Sequence, residues 1–214
     1  MTEQRFKSFA LEGPCCAGKT TLGHGLIGAL TGKDVAYVRD YSDFVGGGRF
    51  LPPPVPQSLT DEETALKEFL CIEAERIKLP LSLPREVIII DRSIHTLIAH
   101  CVALERMTGV SYGTLAKHIL CDSKVPLWPD FVLYLDTPSE IINIRNNGKF
   151  ANDSIFINPD FNTGIRSYFL ELCRSGSPPV IWLDASQDKM SLRRNAEAQT
   201  FDFWRTGGRT SQSV

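Results

Sequence analysis

The stretch GPCCAGKT, residues 13–20, decides how the rest of the sequence is interpreted, because it fits the pattern G-x-x-x-x-G-K-[ST]. The apolar segment Phe6–Leu11 ends just before it, and Leu22, Leu26 and Leu30 follow at helical spacing. Glycines let backbone N–H groups turn inward around phosphate oxygens, and the start of a helix adds partial positive charge. The stretch therefore predicts a strand, a phosphate loop and a helix that together bind a nucleoside triphosphate.

Two side chains of this loop have specific expected roles. Lys19 is expected to reach the β- and γ-phosphates, and the Thr20 hydroxyl to hold Mg²⁺. The remaining nucleotide contacts are expected from Gly13, Cys16, Ala17, Gly18 and Thr21. A GTPase is not favoured: Asp43-Phe-Val-Gly46 matches a D-x-x-G switch by its letters, but the chain has no N-K-x-D base reader. The length favours a small kinase over a motor or AAA-type ATPase.

The pattern of apolar segments predicts the fold class. Short apolar runs, typical of buried strands, occur at Phe6–Leu11, Val35–Val38, Val87–Ile90, Phe131–Leu135 and Val180–Leu183. Helical patterns separate them, two of which begin at apparent capping boxes, Thr60–Glu63 and Thr137–Glu140. Strands that are apolar on both faces and alternate with helices indicate a parallel sheet covered by helices. We predict one α/β domain over residues 1–204 and a disordered tail over 205–214.

Composition excludes some classes of partner. The chain has 23 Lys and Arg against 25 Asp and Glu, so its net charge of −2 argues against binding of long nucleic acids. No segment approaches the ~20 apolar residues that cross a bilayer, and the N-terminus does not look like a signal peptide, so no membrane contact is expected. The six cysteines include no C-x-x-C pair. Four are expected to be small buried side chains of a reduced, cytoplasmic protein: Cys71, Cys101, Cys121 and Cys173.

Charged residues follow two of the predicted strands. Asp91 comes at the end of a buried strand, where a carboxylate can support the hydration shell of Mg²⁺ in a phosphate-loop fold, or can cap the next helix. Arg92 can stabilise the charge that develops in phosphoryl transfer. Arg39 and Asp40 follow the second strand and supply both a clamp for a phosphate and a base for a hydroxyl, or else only a solvated ion pair.

The chain resembles the thymidylate kinase and deoxynucleoside kinase group of P-loop kinases, and the matching pieces run in the group's order. They are the Glu12-Gly13 start of the loop, Val38–Asp40, Glu75-Arg76, Asp91–Ser93, Pro129–Asp136 and Leu183–Ser186. The resemblance implies a P-loop NTPase fold, a three-layer α/β/α structure with a five-stranded parallel sheet. It also implies ATP with Mg²⁺ as the donor and a nucleoside or nucleoside monophosphate as the acceptor.

The same resemblance assigns roles to three residues outside the loop. Arg76 would lie against the acceptor base, Ala185 near the adenine, and Arg145 in a lid of about residues 145–155. Otherwise Arg76 would only pair with Glu73 on a helix surface, and Arg145 and Lys149 would only favour the C-terminal end of a helix. Dimers are common in the group, although the Leu97–Leu104 stripe fits an intrachain core equally well. The sequence departs from the group in its phosphate loop, where cysteines replace the usual polar residue, and in its lid, which offers only Arg145 and Lys149.

The leading interpretation is a thymidylate kinase-like enzyme that transfers the γ-phosphoryl group of ATP to a nucleoside monophosphate. Its acceptor would be held by Arg39, Asp40, Arg76, Asp91 and Arg92, with catalysis by Lys19, Asp40, Arg92 and Arg145 and metal binding by Thr20 and Asp91. The alternative is a nucleoside or small-molecule alcohol kinase that uses Asp40 as its base. An alternative of another class is a regulatory protein that binds nucleotide without catalysis.

Overall fold

The computed structural model describes residues 6–207, within which five strands form one parallel sheet in the order β2-β3-β1-β4-β5. The strands are β1 Lys7–Glu12, β2 Val35–Val38, β3 Val87–Asp91, β4 Phe131–Asp136 and β5 Val180–Asp184. The strands predicted from sequence are confirmed, and four of them run one residue further at their carboxyl ends. The added residue in each case is an acid, which brings four carboxylates to the same edge of the sheet.

Helices cover both faces of the sheet. They are α1 Lys19–Ala29, α2 Tyr41–Phe44, α3 Leu59–Ser82, α4 Ile94–Thr108, α5 Tyr112–Asp122, α6 Ser139–Asn146, α7 Pro159–Ser175 and α8 Lys189–Arg205. One face packs against α1 and α8, and the other against α3, α4, α5 and α7. The predicted three-layer α/β/α class is therefore confirmed.

Alternation along the strands explains why they are apolar throughout. Ile89 of β3 belongs to the core beneath α1 and α8, whereas its neighbours Ile88 and Ile90 belong to the core beneath α3 and α4. Because the central strands β1, β3 and β4 are buried on both faces, their interiors are apolar apart from Ser8, whose N–H and hydroxyl donate to Asp130. The Leu97–Leu104 stripe of α4 lies in this second core, so it is part of the chain's own interior.

Two helix starts differ from the predicted capping boxes. The N-cap of α3 is Ser58, whose hydroxyl accepts from the Asp61 N–H at 3.1 Å, so the helix begins before Thr60. At α6 the N-cap is Pro138, and the Thr137 hydroxyl instead donates to the Leu135 carbonyl at 3.1 Å. At α3, Ser58 and Thr60 were both possible N-caps, and sequence spacing alone did not distinguish them. At α6, no side chain caps the helix.

The structure also bears on the expectations for the cysteines, the C-terminal tail and membrane-spanning segments. Of the four cysteines expected to be buried, only Cys101 is buried, while Cys71 and Cys121 are exposed and Cys173 is intermediate. The predicted tail begins too early, because Arg205 is still the last residue of α8; residues 208–214 lie outside the described part. Within residues 6–207, no helix is both long and apolar enough to cross a membrane.

Candidate active site

The loop of residues 13–20 passes from the end of β1 to the start of α1, as predicted. Gly13 has φ 135°, and a Cβ there would lie 2.7 Å from the Leu135 carbonyl oxygen, so only glycine fits. Gly18, with φ 97°, is the N-cap of α1 and offers no side chain to the first N–H groups of the helix. These N–H groups and the helix dipole are suited to an anion. Cys16 also adopts a left-handed conformation, and Thr21 is exposed in the first turn.

The Lys19 ammonium turns back over this loop. Its Nζ donates to the carbonyls of Gly13 at 3.1 Å and Pro14 at 2.7 Å, and the residue is only 6% exposed. Burial, reinforced by the positive charge of Arg92, lowers the pKa of Lys19 to about 8. Burial removes the water that would otherwise stabilise this ammonium. An anionic ligand would therefore stabilise it strongly, because the attraction between opposite charges is strong where water is excluded.

Thr20 and Asp91 lie together, as the sequence predicted. The Thr20 hydroxyl donates to Asp91 Oδ2 at 2.6 Å, and the Tyr37 hydroxyl donates to the same oxygen at 2.8 Å. Asp91 is fully buried, and its Oδ1 has no hydrogen-bond partner in the described part of the chain. A buried carboxylate oxygen without a partner, beside a hydroxyl, matches the hard oxygen ligands of Mg²⁺. Residues 6–207 contain no cluster of three or more His, Cys, Asp or Glu side chains that would form an all-protein metal cage.

Arg92 and Asp40 form an ion pair beside the phosphate loop. Arg92 Nε lies 2.8 Å from Asp40 Oδ2, while its terminal nitrogens make longer contacts, 3.4 Å to the Gly13 carbonyl and 3.3 Å to Cys15 Sγ. Burial alone would raise the pKa of Asp40, but Arg92 and the Ser42 N–H more than offset it, so the pKa is lowered. Arg92 itself has φ 63°, a left-handed conformation of the kind that is concentrated at functional sites. The pair thus places an ionised carboxylate and a guanidinium at one point.

Arg76 does not lie where the resemblance implied. Its side chain is buried in an ion pair with Glu73, with Nε donating to Glu73 Oε2 at 2.9 Å. Its terminal nitrogens donate to the carbonyls of Arg39 at 2.7 Å, Asp91 at 3.2 Å and Arg92 at 2.7 Å. Protein oxygens thereby occupy all the directions of the guanidinium fork. Arg76 fixes the ends of β2 and β3, and has no donor left for an acceptor base.

The other two arginines also differ from expectation in their positions. Arg39 is exposed, with its guanidinium over the Phe44 ring at 5.8 Å. Arg145 lies in the last turn of α6, before the loop of the expected lid, and joins two parts of the site: it donates to the Ala17 carbonyl at 3.1 Å and the Ala185 carbonyl at 2.9 Å. Ala185 is fully buried beside β4, with its N–H bonded to the Asp136 carbonyl at 2.9 Å.

The structure adds site residues that the sequence did not single out. Glu12 is completely buried and accepts from the N–H and hydroxyl of Ser93, at 2.8 and 2.7 Å, and from the Thr96 hydroxyl. Burial raises the pKa of Glu12 despite these hydrogen bonds. The hydrogen bond from Tyr37 orients Asp91. The sequence hint for Tyr37 was its place in the edge strand β2, where alternate side chains are only half-buried. Glu12 had a signal as well, since an acid at the end of an apolar strand calls for a buried partner.

A thymidylate kinase from Candida albicans superposes with a TM-score of 0.66 at 19% identity, over 95% of this chain and 92% of that one. The chain has a thymidylate kinase-like fold. That enzyme is described as having broad substrate specificity and a novel structural element. No known protein-family profile matches the sequence.

Proposed function

We propose that the protein is an ATP-dependent phosphotransferase that acts on a small nucleoside-type acceptor. The observation that carries the proposal is the convergence of three elements around residues 13–20: the Lys19 ammonium, the Thr20–Asp91 pair and the Arg92–Asp40 pair. Each supplies one requirement of phosphoryl transfer: charge for the phosphates, oxygen ligands for a metal, and a carboxylate and guanidinium for the acceptor. A protein that only binds nucleotide has no need of the third element.

The donor half of the mechanism follows from the loop. Backbone N–H groups of residues 13–20 would bind the phosphates, and Lys19 would leave the Gly13 and Pro14 carbonyls for the β- and γ-phosphate oxygens. Thr20 and Asp91 would hold Mg²⁺, directly or through its water shell, and when bound the ion would neutralise charge on the phosphates. Arg145, which bridges Ala17 and Ala185, would help to position the nucleotide from the opposite side.

The geometry favours a hydroxyl acceptor. Asp40 Oδ1 is engaged as the N-cap of α2, whereas Oδ2 lies beside Arg92 at the phosphate loop, so Oδ2 is the atom that would accept the proton of a hydroxyl as the γ-phosphoryl group is transferred. Arg92 would then stabilise the equatorial phosphoryl oxygens. We therefore place a nucleoside, or another alcohol of that size, first among the acceptors. A clamp for an acceptor phosphate has one member fewer than the sequence suggested, because Arg76 is fully engaged by protein oxygens.

A nucleoside monophosphate is the second candidate. The terminal nitrogens of Arg92 donate to the Gly13 carbonyl at 3.4 Å and to Cys15 Sγ, a weak acceptor, at 3.3 Å, and could exchange these contacts for a phosphate oxygen. The fold, shared with a thymidylate kinase, also supports this candidate. Asp40 would then orient Arg92 and would take no proton.

An acceptor screen tests the proposal. ADP formation from ATP and Mg²⁺ is measured with matched pairs of acceptors, each nucleoside beside its 5′-monophosphate. We expect at least one nucleoside to raise ADP formation well above the rate with water alone. A preference for monophosphates would reverse the order of the two candidates. Tight ATP binding without acceptor-dependent ADP from either series would contradict the kinase proposal.

A further inference from the structure

A cavity of about 630 Å³ lies among α4, α5 and α7, and none of its lining residues belongs to the phosphate loop. We call it the α4–α7 cavity; its distinctive side chains are His95, Lys117, Trp128, Asp130, Tyr168 and Glu171. Its volume falls in the range of small-molecule sites. The mechanism above uses none of these side chains.

The inner wall of this cavity has an unsatisfied polar atom. His95 is only 3% exposed, and its Nδ1 is hydrogen-bonded to the Tyr168 hydroxyl at 2.8 Å. Its Nε2 is buried without a hydrogen-bond partner among residues 6–207. Burial lowers the pKa of His95 to about 4, so the imidazole is neutral at physiological pH. A neutral ring nitrogen suits the polar edge of an uncharged group and does not suit an anion.

The outer wall of the cavity is aromatic. The Trp128 indole packs edge-on against His95 with ring centroids 5.1 Å apart, yet Trp128 is 38% exposed. Trp128 therefore packs against His95 with part of its indole and presents the rest to solvent in the cavity. An indole face stacks on a planar heteroaromatic ring whichever base the ring belongs to.

The rim of the cavity has a free positive charge. Lys117 is exposed and forms no hydrogen bond or ion pair within the described part of the chain. The two nearby acids are engaged: Glu171 pairs with Arg106 at 3.0 Å, and Asp130 accepts from the Ser8 N–H at 2.8 Å. An anionic group bound at the rim would contact Lys117, with the Asp130 and Glu171 carboxylates also among the lining side chains.

From these three features we propose that the α4–α7 cavity binds a nucleoside monophosphate, separately from the phosphate loop. The base stacks on Trp128 and its polar edge meets His95 Nε2, the sugar fills the middle of the cavity, and the phosphate meets Lys117. The two sites share the start of α4, where the backbone N–H of His95 donates at 3.2 Å to Ser93 Oγ, the N-cap, which in turn donates to Glu12 beside the loop. This proposal does not depend on the proposed function.

The test uses AMP as the probe and adenosine as its uncharged counterpart. Binding to the full chain is followed by tryptophan fluorescence and calorimetry, with the phosphate loop saturated by a non-hydrolysable ATP analogue. Trp128→Leu is expected to weaken both probes by about tenfold. Lys117→Ala is expected to weaken AMP by up to about fivefold and to leave adenosine unchanged. Both side chains are exposed, so neither variant should prevent folding.

Lys124→Ala, an exposed lysine outside the cavity, is the matched control and should bind both probes like the unmodified chain. Equal weakening of AMP by Lys117→Ala and Lys124→Ala would overturn the proposal, because it would indicate a general charge effect. Binding that is insensitive to Trp128→Leu, or no binding beyond the phosphate loop, would also overturn it and would leave His95 Nε2 to a buried water. Acceptor-dependent ADP formation by Lys117→Ala separates this outcome from failure of the proposed function.

Discussion

The proposed donor and acceptor sides of the site are built in different ways. On the donor side, residues 13–20 are contiguous, and their own backbone makes the site. On the acceptor side, the Arg92–Asp40 pair joins the ends of two strands, and Arg76 holds both ends through their carbonyls. The donor side is therefore a local motif, whereas the acceptor side exists only when α3, β2 and β3 are packed together. Substitutions on the two sides should therefore have different effects on folding and on activity.

The largest effect is expected from Arg76→Ala. It removes the hydrogen bonds to three carbonyls and leaves Glu73 buried without its partner, which should cost about 3–5 kcal/mol of the free energy of unfolding. Urea denaturation measures the loss. Lys78→Ala is the control, because Lys78 pairs with Glu75 at the surface of the same helix and should change the free energy by at most about 0.5 kcal/mol. Similar values for both variants would mean that Arg76 does not hold the acceptor side together.

Lys19→Ala should leave the fold intact and affect the donor side. Loss of a buried cation aimed at the phosphates is expected to reduce phosphoryl transfer by about 10²–10³-fold. The rate of ADP formation with the best acceptor measures this, and Lys33→Ala, an exposed lysine, should keep the full rate. A Lys19 variant that retains more than about a tenth of the rate would argue against the assigned role.

Asp40→Asn distinguishes the two acceptor classes. If Asp40 takes a proton from a hydroxyl, the rate with nucleosides should fall by about 10²-fold while ATP affinity is unchanged. Steady-state kinetics with a nucleoside, together with direct ATP titration, give the two quantities. A monophosphate acceptor predicts a much smaller loss, since Asp40 would then only orient Arg92. Asp43→Asn, on α2 but with no described contact to Arg92, is the comparison variant.

The smallest predicted effect is a pH dependence of ATP affinity. The pKa of Lys19 is lowered to about 8, so its ammonium is present below pH 8 and is progressively lost above it. Phosphates favour the charged form, so the affinity for ATP should fall by up to about tenfold for each pH unit above 8. Titrations between pH 6.5 and 9.5 would show the fall, and Lys19→Ala should not show it.

The same contrast explains what the sequence could and could not predict. The phosphate loop and the Thr20–Asp91 pair were accessible, because a short motif and a strand end carry them. Asp91 needed only the rule that carboxyl ends of parallel strands share an edge. The role of Arg76 was not accessible, because its carbonyl partners lie up to 37 residues away and any backbone can supply a carbonyl. Arg145 shows the same limit, since its partner Ala17 is 128 residues distant.

The α4–α7 cavity could not be predicted at all. His95 is one of four histidines in the sequence and belongs to none of the motifs quoted above. Trp128 and Lys117 come from other segments of the chain. Only the packing of α4 against α7 brings His95 and Tyr168 together. Residues that come together only through such packing have no fixed separation in the sequence, so no sequence motif identifies them.

Gly13 has a consequence for the genetics of this protein. The atom that a Cβ at Gly13 would meet is a backbone oxygen of Leu135, which every amino acid at position 135 would carry. Gly23 is different, because its Cβ would meet the ring of Tyr37 at 2.7 Å, and a smaller side chain there could make room. A selection for suppressors of Gly23→Ala can therefore find compensating changes at Tyr37, although these give up its hydrogen bond to Asp91. The same selection on Gly13→Ala should return only true revertants.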